Sequence, residues 1–111
     1  MLSVNVVKSD NCAIVQIDGE VDLYSSPDLR KQLLELTGRQ EKIIIVDLVN
    51  VKYMDSSGVA TLVEALQQVG KYGGKLKLVN LRDAVKDVFE LSRLDKVFDI
   101  YDSVETATKA D

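Results

Sequence analysis

The residues best suited to chemistry in this sequence are four neighbours, Asp55, Ser56, Ser57 and Gly58, placed between an apolar run and an amphipathic segment. The free N–H groups and positive dipole end of a helix that begins there favour an anion. One interpretation is that a serine or the aspartate only caps the helix, a contact worth about 1 kcal/mol. A second serine is not needed for a cap, and glycine in a helix costs about 1 kcal/mol relative to alanine. We therefore predict a small, open helix start with a purpose beyond capping.

Enzymatic chemistry at this helix start is disfavoured by the residues present. The sequence contains no histidine, so the usual general base and any Ser-His triad are missing. A hydrolase elbow reads Gly-x-Ser-x-Gly, and Met54 stands where its first glycine would be. A Walker-type phosphate loop needs more glycines and a lysine, which "DSSGVAT" lacks. We expect no enzyme, no cofactor and no metal site.

The remaining chemistry is transfer of a phosphoryl group to a serine by another protein. A phosphoserine adds about −1.5 to −2 charges, and here it would add them at the start of a helix. Such a group acts as a switch rather than as a reaction centre.

Length and composition predict one globular domain. The chain has 111 residues, of which 46% are hydrophobic and 29% charged, as in an ordinary folded domain. Its longest apolar runs, such as "IIIV", are far shorter than the roughly 18 residues of a membrane span. No secretory signal pattern opens the sequence, so we expect a cytoplasmic protein. The net charge of −4, without a basic stripe, argues against nucleic acid as a direct partner.

Hydrophobic periodicity predicts the strands that position the helix start. Residues 2–8 and 12–17 read as a hairpin joined by the turn residues "SDN". Residues 42–48 form a nearly continuous apolar run, typical of a central strand buried on both faces, and residues 49–54 read as a short connection. Residues 75–80 predict a fourth strand. The apolar segment "LDKVFDIY" predicts a final edge strand.

Four helices are predicted around these strands. The first begins at Ser26, as a hydroxyl cap, with Pro27 at the first helical position. The second runs from Ser57 to the glycines near Gly73, a third covers 83–91, and Ser103 caps a last one. The predicted core-facing residues are Leu29, Leu33, Leu36, Val59, Leu62, Val63, Leu66, Val85, Val88, Phe89 and Leu91, and the predicted exposed face of the second helix is Thr61, Glu64, Ala65 and Gln68. The order of elements predicts an α/β domain with a mixed four- to five-stranded sheet and about four helices mainly on one face.

Three long segments of the sequence resemble the anti-sigma factor antagonist family, the stand-alone STAS domains. They are "IDGEVDLYSSPDLRKQL", "IIIVDLVNVKYMDSSGVATLVEAL" and "GGKLKLVNLRDAVKDVFELSRLDKVFDIYDSVETA", and the resemblance covers essentially the whole chain, so we expect one STAS domain over 1–111. Its most specific block runs from Asp47 to Gly58 and contains Asp-Leu, five residues and Met-Asp-Ser-Ser-Gly. In that family the serine directly after the aspartate accepts the phosphoryl group. The resemblance, rather than the spacing, therefore selects Ser56 over Ser57.

The resemblance implies a partner-switching regulator. In that family the unphosphorylated antagonist binds an anti-sigma factor that is also a serine kinase, which frees a sigma factor for transcription. Phosphorylation, here of Ser56, reverses the binding, and a PP2C-type phosphatase restores it. An alternative within the same fold is an accessory subunit of a lipid or anion transport system, with the helix start packed on a transporter component.

Other residues near the helix start are expected to bind the partner or shape the site. The resemblance places Asp22 beside the phosphorylation site, where it could orient a hydroxyl or accept a hydrogen bond, although a solvated loop acid is an equal alternative. Tyr24 and Tyr53 are candidates for a contact surface, with half-buried packing as the other interpretation. Asp47 is expected to bond neighbouring backbone groups, and Cys12 to be a buried thiol.

Overall fold

A five-stranded mixed sheet forms the centre of the computed structural model, which describes residues 2–9 and 11–110. Its strands are β1 (Ser3–Ser9), β2 (Cys12–Val21), β3 (Ile43–Met54), β4 (Lys75–Val79) and β5 (Asp99–Tyr101), in that spatial order. β1 is antiparallel to β2, and each later pair of neighbours is parallel. The predicted hairpin and the central position of β3 are confirmed. Within the predicted turn at 9–11, Asp10 lies outside the described residues.

The described residues form four α-helices: three make the crossover connections that parallel neighbours need, and the fourth follows β5. They are α1 (Ser26–Gly38), α2 (Ser56–Lys71), α3 (Asp83–Leu91) and α4 (Val104–Lys109), with a 3-10 turn at Leu94–Lys96. The first three share one apolar cluster with one sheet face, and α4 packs on the other face. The expectation of helices mainly on one face is confirmed. Across residues 2–9 and 11–110, no helix is long and apolar enough to cross a bilayer.

Buried side chains alternate between the two faces of the central strands, and so form two core clusters, one on each face of the sheet. Ile44 and Val46 of β3 face α1, α2 and α3, whereas Ile45 faces α4. β3 is therefore buried on both faces, as its apolar run predicts. On the α4 side Cys12 is a buried free thiol beside Ala107.

Strand β3 is longer than predicted, because residues 49–54 continue it to Met54 rather than forming a connection. The period of two is lost there: Val51 and Met54 are buried, and the residues between and before them are exposed. Register shifts in the pairing of β2 with β3, on either side of Asp18, account for the irregularity. β2 extends beside β3 in the same way, to Val21.

Two predictions of helix faces are wrong. Thr61 and Ala65 of α2 are 7% and 1% exposed, because α1 packs on the side of α2 that the sheet leaves open. A bidentate ion pair between Arg30 and Glu64 lies at the edge of that contact, and the Arg30 guanidinium lowers the pKa of Glu64. Leu91 is 86% exposed instead of buried, since it lies two positions beyond the buried Phe89 and therefore faces the other way.

A buried lysine attaches α4 to the sheet. Lys77 of β4 is 0% exposed, and its Nζ donates to the carbonyl oxygens of Ala107 at 2.8 Å and Ala110 at 2.7 Å. The same ammonium lies 5.3 Å from the centre of the Tyr101 ring. Carbonyls at a helix end have no partner within the helix, so the ammonium satisfies them while they solvate its charge.

Candidate functional site

The candidate site lies at the edge of the sheet where β2 and β3 end together. Val21 pairs with Met54, and the N–H of Asp55 donates to the carbonyl oxygen of Val21 at 3.0 Å. The loop that begins at Asp22 therefore lies beside the start of α2. This edge, at the carboxyl ends of parallel strands, is where α/β proteins commonly bind ligands.

Asp55 caps α2 and leaves Ser56 free of that task. Its Oδ1 accepts hydrogen bonds from the N–H groups of Ser57 at 2.9 Å and Gly58 at 3.3 Å. Ser56 is the first helical residue and is exposed. No hydrogen bond of its hydroxyl occurs among the described residues. The helix therefore begins one residue earlier than predicted, and of the two cap types that the sequence allows, the aspartate is the one used.

Gly58 is required by packing rather than by an open helix start. It is buried, and a Cβ at this position would lie 2.6 Å from Cγ1 of Val21 and 2.7 Å from Cγ of Met54. The absence of a side chain lets the first turn of α2 rest on the ends of β2 and β3. The predicted open start is wrong in this respect, because the tertiary contact that demands glycine is invisible in the sequence.

Ser57 is half-buried and acts through its backbone. Its N–H donates to Asp55, and its carbonyl oxygen accepts from Oγ1 of Thr61 at 3.0 Å. Ser57 thus belongs to the first turn of the helix, whereas Ser56 faces solvent.

A network of hydrogen bonds orders the loop from Asp22 to Ser25, which we name the anchor loop. Oδ1 of Asp22 accepts from the N–H groups of Tyr24 and Ser25, both at 2.9 Å. Oγ of Ser25 accepts from the N–H of Asp22 at 2.9 Å and donates to the carbonyl oxygen of Glu20 at 2.8 Å. The hydrogen bond from the Ser25 N–H is the main cause that lowers the pKa of Asp22. This is an aspartate-centred turn.

Helix α1 follows the anchor loop without the predicted hydroxyl cap. Ser26 is the first helical residue rather than the cap, and it is 7% exposed. Ser25 precedes the helix, and its hydroxyl bonds the loop instead of the helix N–H groups. The predicted cap at Ser26 is therefore wrong by one position and in its bonding.

Exposed apolar side chains surround this edge. Tyr24 is 89% exposed, Leu23 65% and Tyr53 50%, so none of the three is core packing. Leu23 was not singled out in the sequence. Its signal is a large apolar residue between Asp22 and Tyr24, inside a turn where polar residues are usual.

Acidic side chains border the same region. A cavity of about 610 Å³ beside Tyr24 is lined by Asp18, Glu20, Asp28 and Lys52, among other residues. Within the part of the chain described, these carboxylates do not form a group of three that could hold a metal ion. Asp47 lies apart on β3, where its Oδ1 accepts from the N–H of Val49 and from Nδ2 of Asn80, as expected for a structural acid.

The match to a family model agrees with this architecture. The model for the STAS domain matches residues 3–107, and the chain belongs to that family. Within it, the chain is 37% identical over 99 residues to the anti-sigma-B factor antagonist of Bacillus subtilis (strain 168), a match that covers 89% of this chain and 90% of the relative.

Two solved structures share the fold. An anti-sigma factor antagonist from Mycobacterium paratuberculosis superposes with a TM-score of 0.91 at 24% identity, covering 98% of this chain and 92% of that one. The Bacillus cell fate determinant SpoIIAA in its phosphorylated form superposes with a TM-score of 0.75 at 19% identity, covering 96% and 97% of the two chains.

Proposed function

We propose that this chain is an anti-sigma factor antagonist that is switched by phosphorylation of Ser56. The unphosphorylated form binds an anti-sigma factor that is also a serine kinase, and so frees a sigma factor in the cytoplasm. A PP2C-type phosphatase reverses the modification. Residues 1–111 act as one STAS domain, with no catalytic residue or metal of their own and no direct contact with nucleic acid or membrane. The relative at 37% identity, named an anti-sigma-B factor antagonist, supports this assignment.

The observation that carries the proposal is that Ser56 is exposed, with no hydrogen bond of its hydroxyl among the described residues, beside a helix start that Asp55 already caps. A kinase can reach this oxygen without unfolding any element. In the transfer, Ser56 Oγ forms a bond to the γ-phosphorus of ATP, the bond to the ADP oxygen breaks, and the hydroxyl proton passes to the kinase. Asp55, Ser57 and Gly58 shape the surface around the acceptor.

The phosphate weakens binding through its charge and its bulk. An acceptor hydroxyl lies in line with the terminal phosphate of the nucleotide in its kinase, so a phosphoserine at the same place meets the phosphates of the bound nucleotide. Asp22 and Asp55 add negative charge on the side of this chain. A loss of about 3 kcal/mol lowers affinity more than a hundredfold. The phosphorylated form of SpoIIAA shares the fold, which supports a switch that acts at the surface.

The direct test is incubation with ATP, magnesium and the anti-sigma factor kinase of the same organism, followed by intact-mass and peptide analysis. We expect one phosphate, located at Ser56, in the wild type. Ser56→Ala should abolish the mass shift, and the matched control Ser57→Ala should retain it. A phosphate on Ser57 would contradict the assignment. No incorporation at all would favour the accessory subunit of a transport system.

A binding measurement tests the consequence of the charge. Ser56→Asp should bind the kinase more weakly than the wild type while giving the same circular dichroism spectrum. The asparagine side chain of Ser56→Asn has nearly the same shape as the aspartate of Ser56→Asp but carries no charge. We expect Ser56→Asn to bind the kinase more tightly than Ser56→Asp. Equal affinity of Ser56→Asp and the wild type would argue against the switch.

A further inference from the structure

We propose that Leu23 and Tyr24 form a preorganised apolar anchor that enters a pocket of the anti-sigma factor kinase, and that Asp22 positions this anchor instead of acting on Ser56. The identity of the partner rests on the proposed function. The assignment of Asp22 and the anchor rests on the hydrogen bonds and exposure of the loop itself.

The exposure of the anchor is the first observation. Tyr24 and Leu23 are 89% and 65% exposed and lie next to each other in the chain. Tyrosine is enriched among the few residues that carry most of the energy of a protein interface. The anchor is also continuous with the surface around Ser56, because Val21 pairs with Met54 and neighbouring strands are about 4.8 Å apart.

The order of the loop is the second observation. The carboxylate of Asp22 accepts hydrogen bonds from two N–H groups of the loop. The hydroxyl of Ser25 accepts from the N–H of Asp22 and donates to the carbonyl oxygen of Glu20. A loop held in its bound shape loses less conformational entropy when it docks. Tyr24 is therefore exposed on a rigid support, which favours a role in binding over simple disorder of a surface side chain.

The charges around the anchor select the kind of partner. Asp18, Glu20 and Asp28 line the cavity beside Tyr24, where Lys52 is the basic residue. A second copy of this chain would bring the same carboxylates face to face, which disfavours self-association. We infer that the occupant is an apolar pocket of the kinase bordered by lysine or arginine side chains.

The observed hydrogen bonds of Asp22 serve the loop rather than Ser56. Its Oδ1 is engaged by Tyr24 and Ser25, and no hydrogen bond joins Asp22 to Ser56 among residues 2–9 and 11–110. We infer that Asp22 acts on the partner through Tyr24. It is a positioning residue.

Calorimetric titration of the kinase with variants of the full chain tests the anchor. Tyr24→Ala should weaken the affinity about thirtyfold, as expected for removal of an interface anchor. Leu91→Ala is the matched control, because Leu91 is 86% exposed but lies at the end of α3. The Leu91→Ala variant should bind the kinase with unchanged affinity. Equal affinities of Tyr24→Ala and Leu91→Ala would overturn the proposal.

A pair of substitutions at Asp22 tests its positioning role. Asn retains an Oδ1 acceptor for the two N–H groups, whereas Ala does not. Asp22→Asn should bind within about threefold of the wild type, and Asp22→Ala should be as weak as Tyr24→Ala. Hydrogen exchange measured by NMR should show that the Tyr24 and Ser25 amides are protected in the wild type and Asp22→Asn and exchange faster in Asp22→Ala. Equal loss of binding in both Asp22 variants would overturn the positioning role.

Kinase kinetics separate this proposal from the switch at Ser56. Tyr24→Ala and Asp22→Ala should raise KM with little change in kcat, because the acceptor is intact and only docking is weaker. A fall of kcat in both Asp22→Ala and Asp22→Asn would show instead that Asp22 orients the hydroxyl. Phosphorylation of Ser56 without any effect of Tyr24→Ala would refute the anchor alone. Binding that depends on Tyr24 without phosphate on Ser56 would refute the switch alone.

Discussion

Two helices of this domain start at a pair of serines, and the two pairs have different environments. Before α1, the Ser25 hydroxyl bonds both Glu20 and Asp22, and Ser26 is 7% exposed. At α2, Ser57 is half-buried, and Ser56 is exposed with no hydrogen bond of its hydroxyl among the described residues. Among the described residues, only the second pair therefore contains an exposed serine whose hydroxyl makes no hydrogen bond.

The position of the acid explains the difference. Asp55 stands directly before its serines and accepts from the free N–H groups of the helix, so no serine is needed as the cap. Asp22 stands three residues before Ser25 and orders a loop, and the Ser25 hydroxyl becomes part of that loop. A serine pair at a helix start is therefore a better candidate for modification when a carboxylate already occupies the cap.

The largest expected effect is a complete difference in phosphate uptake between the two pairs. Ser56→Ala should take up no phosphate from the kinase, because the accessible oxygen is gone. Ser25→Ala and Ser26→Ala should each still take up one phosphate per chain, as measured by intact mass. Loss of uptake in Ser26→Ala, with normal folding, would show that the comparison between the pairs is wrong.

The next effect is on stability, at the glycine that follows the second pair. Gly58→Ala should lower the free energy of unfolding by about 1–3 kcal/mol, because the new Cβ meets Val21 and Met54. The matched control lies in the same helix: Gly70 has no neighbour within 4 Å of an added Cβ, so Gly70→Ala should raise stability by up to about 1 kcal/mol. Urea unfolding measures both. A Gly58→Ala protein as stable as Gly70→Ala would refute the packing role.

A smaller effect is expected from the cap itself. Asp55→Ala should cost about 1 kcal/mol, because two N–H groups lose their acceptor. Asp55→Asn keeps an acceptor oxygen and should cost only a fraction of that in the same thermal or urea unfolding experiment. If Ser56→Ala proved as destabilising as Asp55→Ala, the serine would be the cap and its availability would be in question.

The smallest effect is the pH dependence of the anchor loop. The hydrogen bonds from Ser25 and Tyr24 lower the pKa of Asp22 below its usual 3.8. A carboxyl group whose pKa is lowered in the folded state stabilises the folded loop when the pH is above the usual pKa. This stabilisation is lost as the pH falls through the lowered pKa. The NMR shifts of the Tyr24 and Ser25 amides should therefore titrate together, with a midpoint below 3.8. The same titration should be absent in Asp22→Asn.

The sequence predicts the elements of this fold better than their ends. The apolar run at 42–48 identifies β3, and the spacing of Leu29, Leu33 and Leu36 identifies the buried face of α1, where all three are 0% exposed. The register shifts that extend β3 to Met54 break the period of two, so a pattern search stops too early. The error at Leu91 has a different origin: this residue continues the apolar pattern of α3, but it lies two positions beyond the buried Phe89 and therefore faces the other way.

The candidate site was only partly predictable. The residue types at 55–58 indicate a helix start that favours an anion, but they do not choose between Ser56 and Ser57, a choice that came from the family resemblance. The cap by Asp55 is a local contact and was one of the alternatives that the residue types left open. The exposure of the serines depends on how α2 meets β2 and β3, and such contacts between distant segments leave no local signal. Phosphorylation of Ser56 itself stays a prediction.

The Lys77 contact determines where this protein can be labelled for the experiments above. α4 runs back across the sheet, so Thr108 lies beside Cys12 and Ile43, which begin β2 and β3, while Ser56 follows the far end of β3. Because Lys77 bonds main-chain oxygens, exposed side chains of α4 such as Thr108 can be exchanged for a dye attachment point without releasing the helix. A fluorophore placed there reports on complex formation from the edge opposite Ser56.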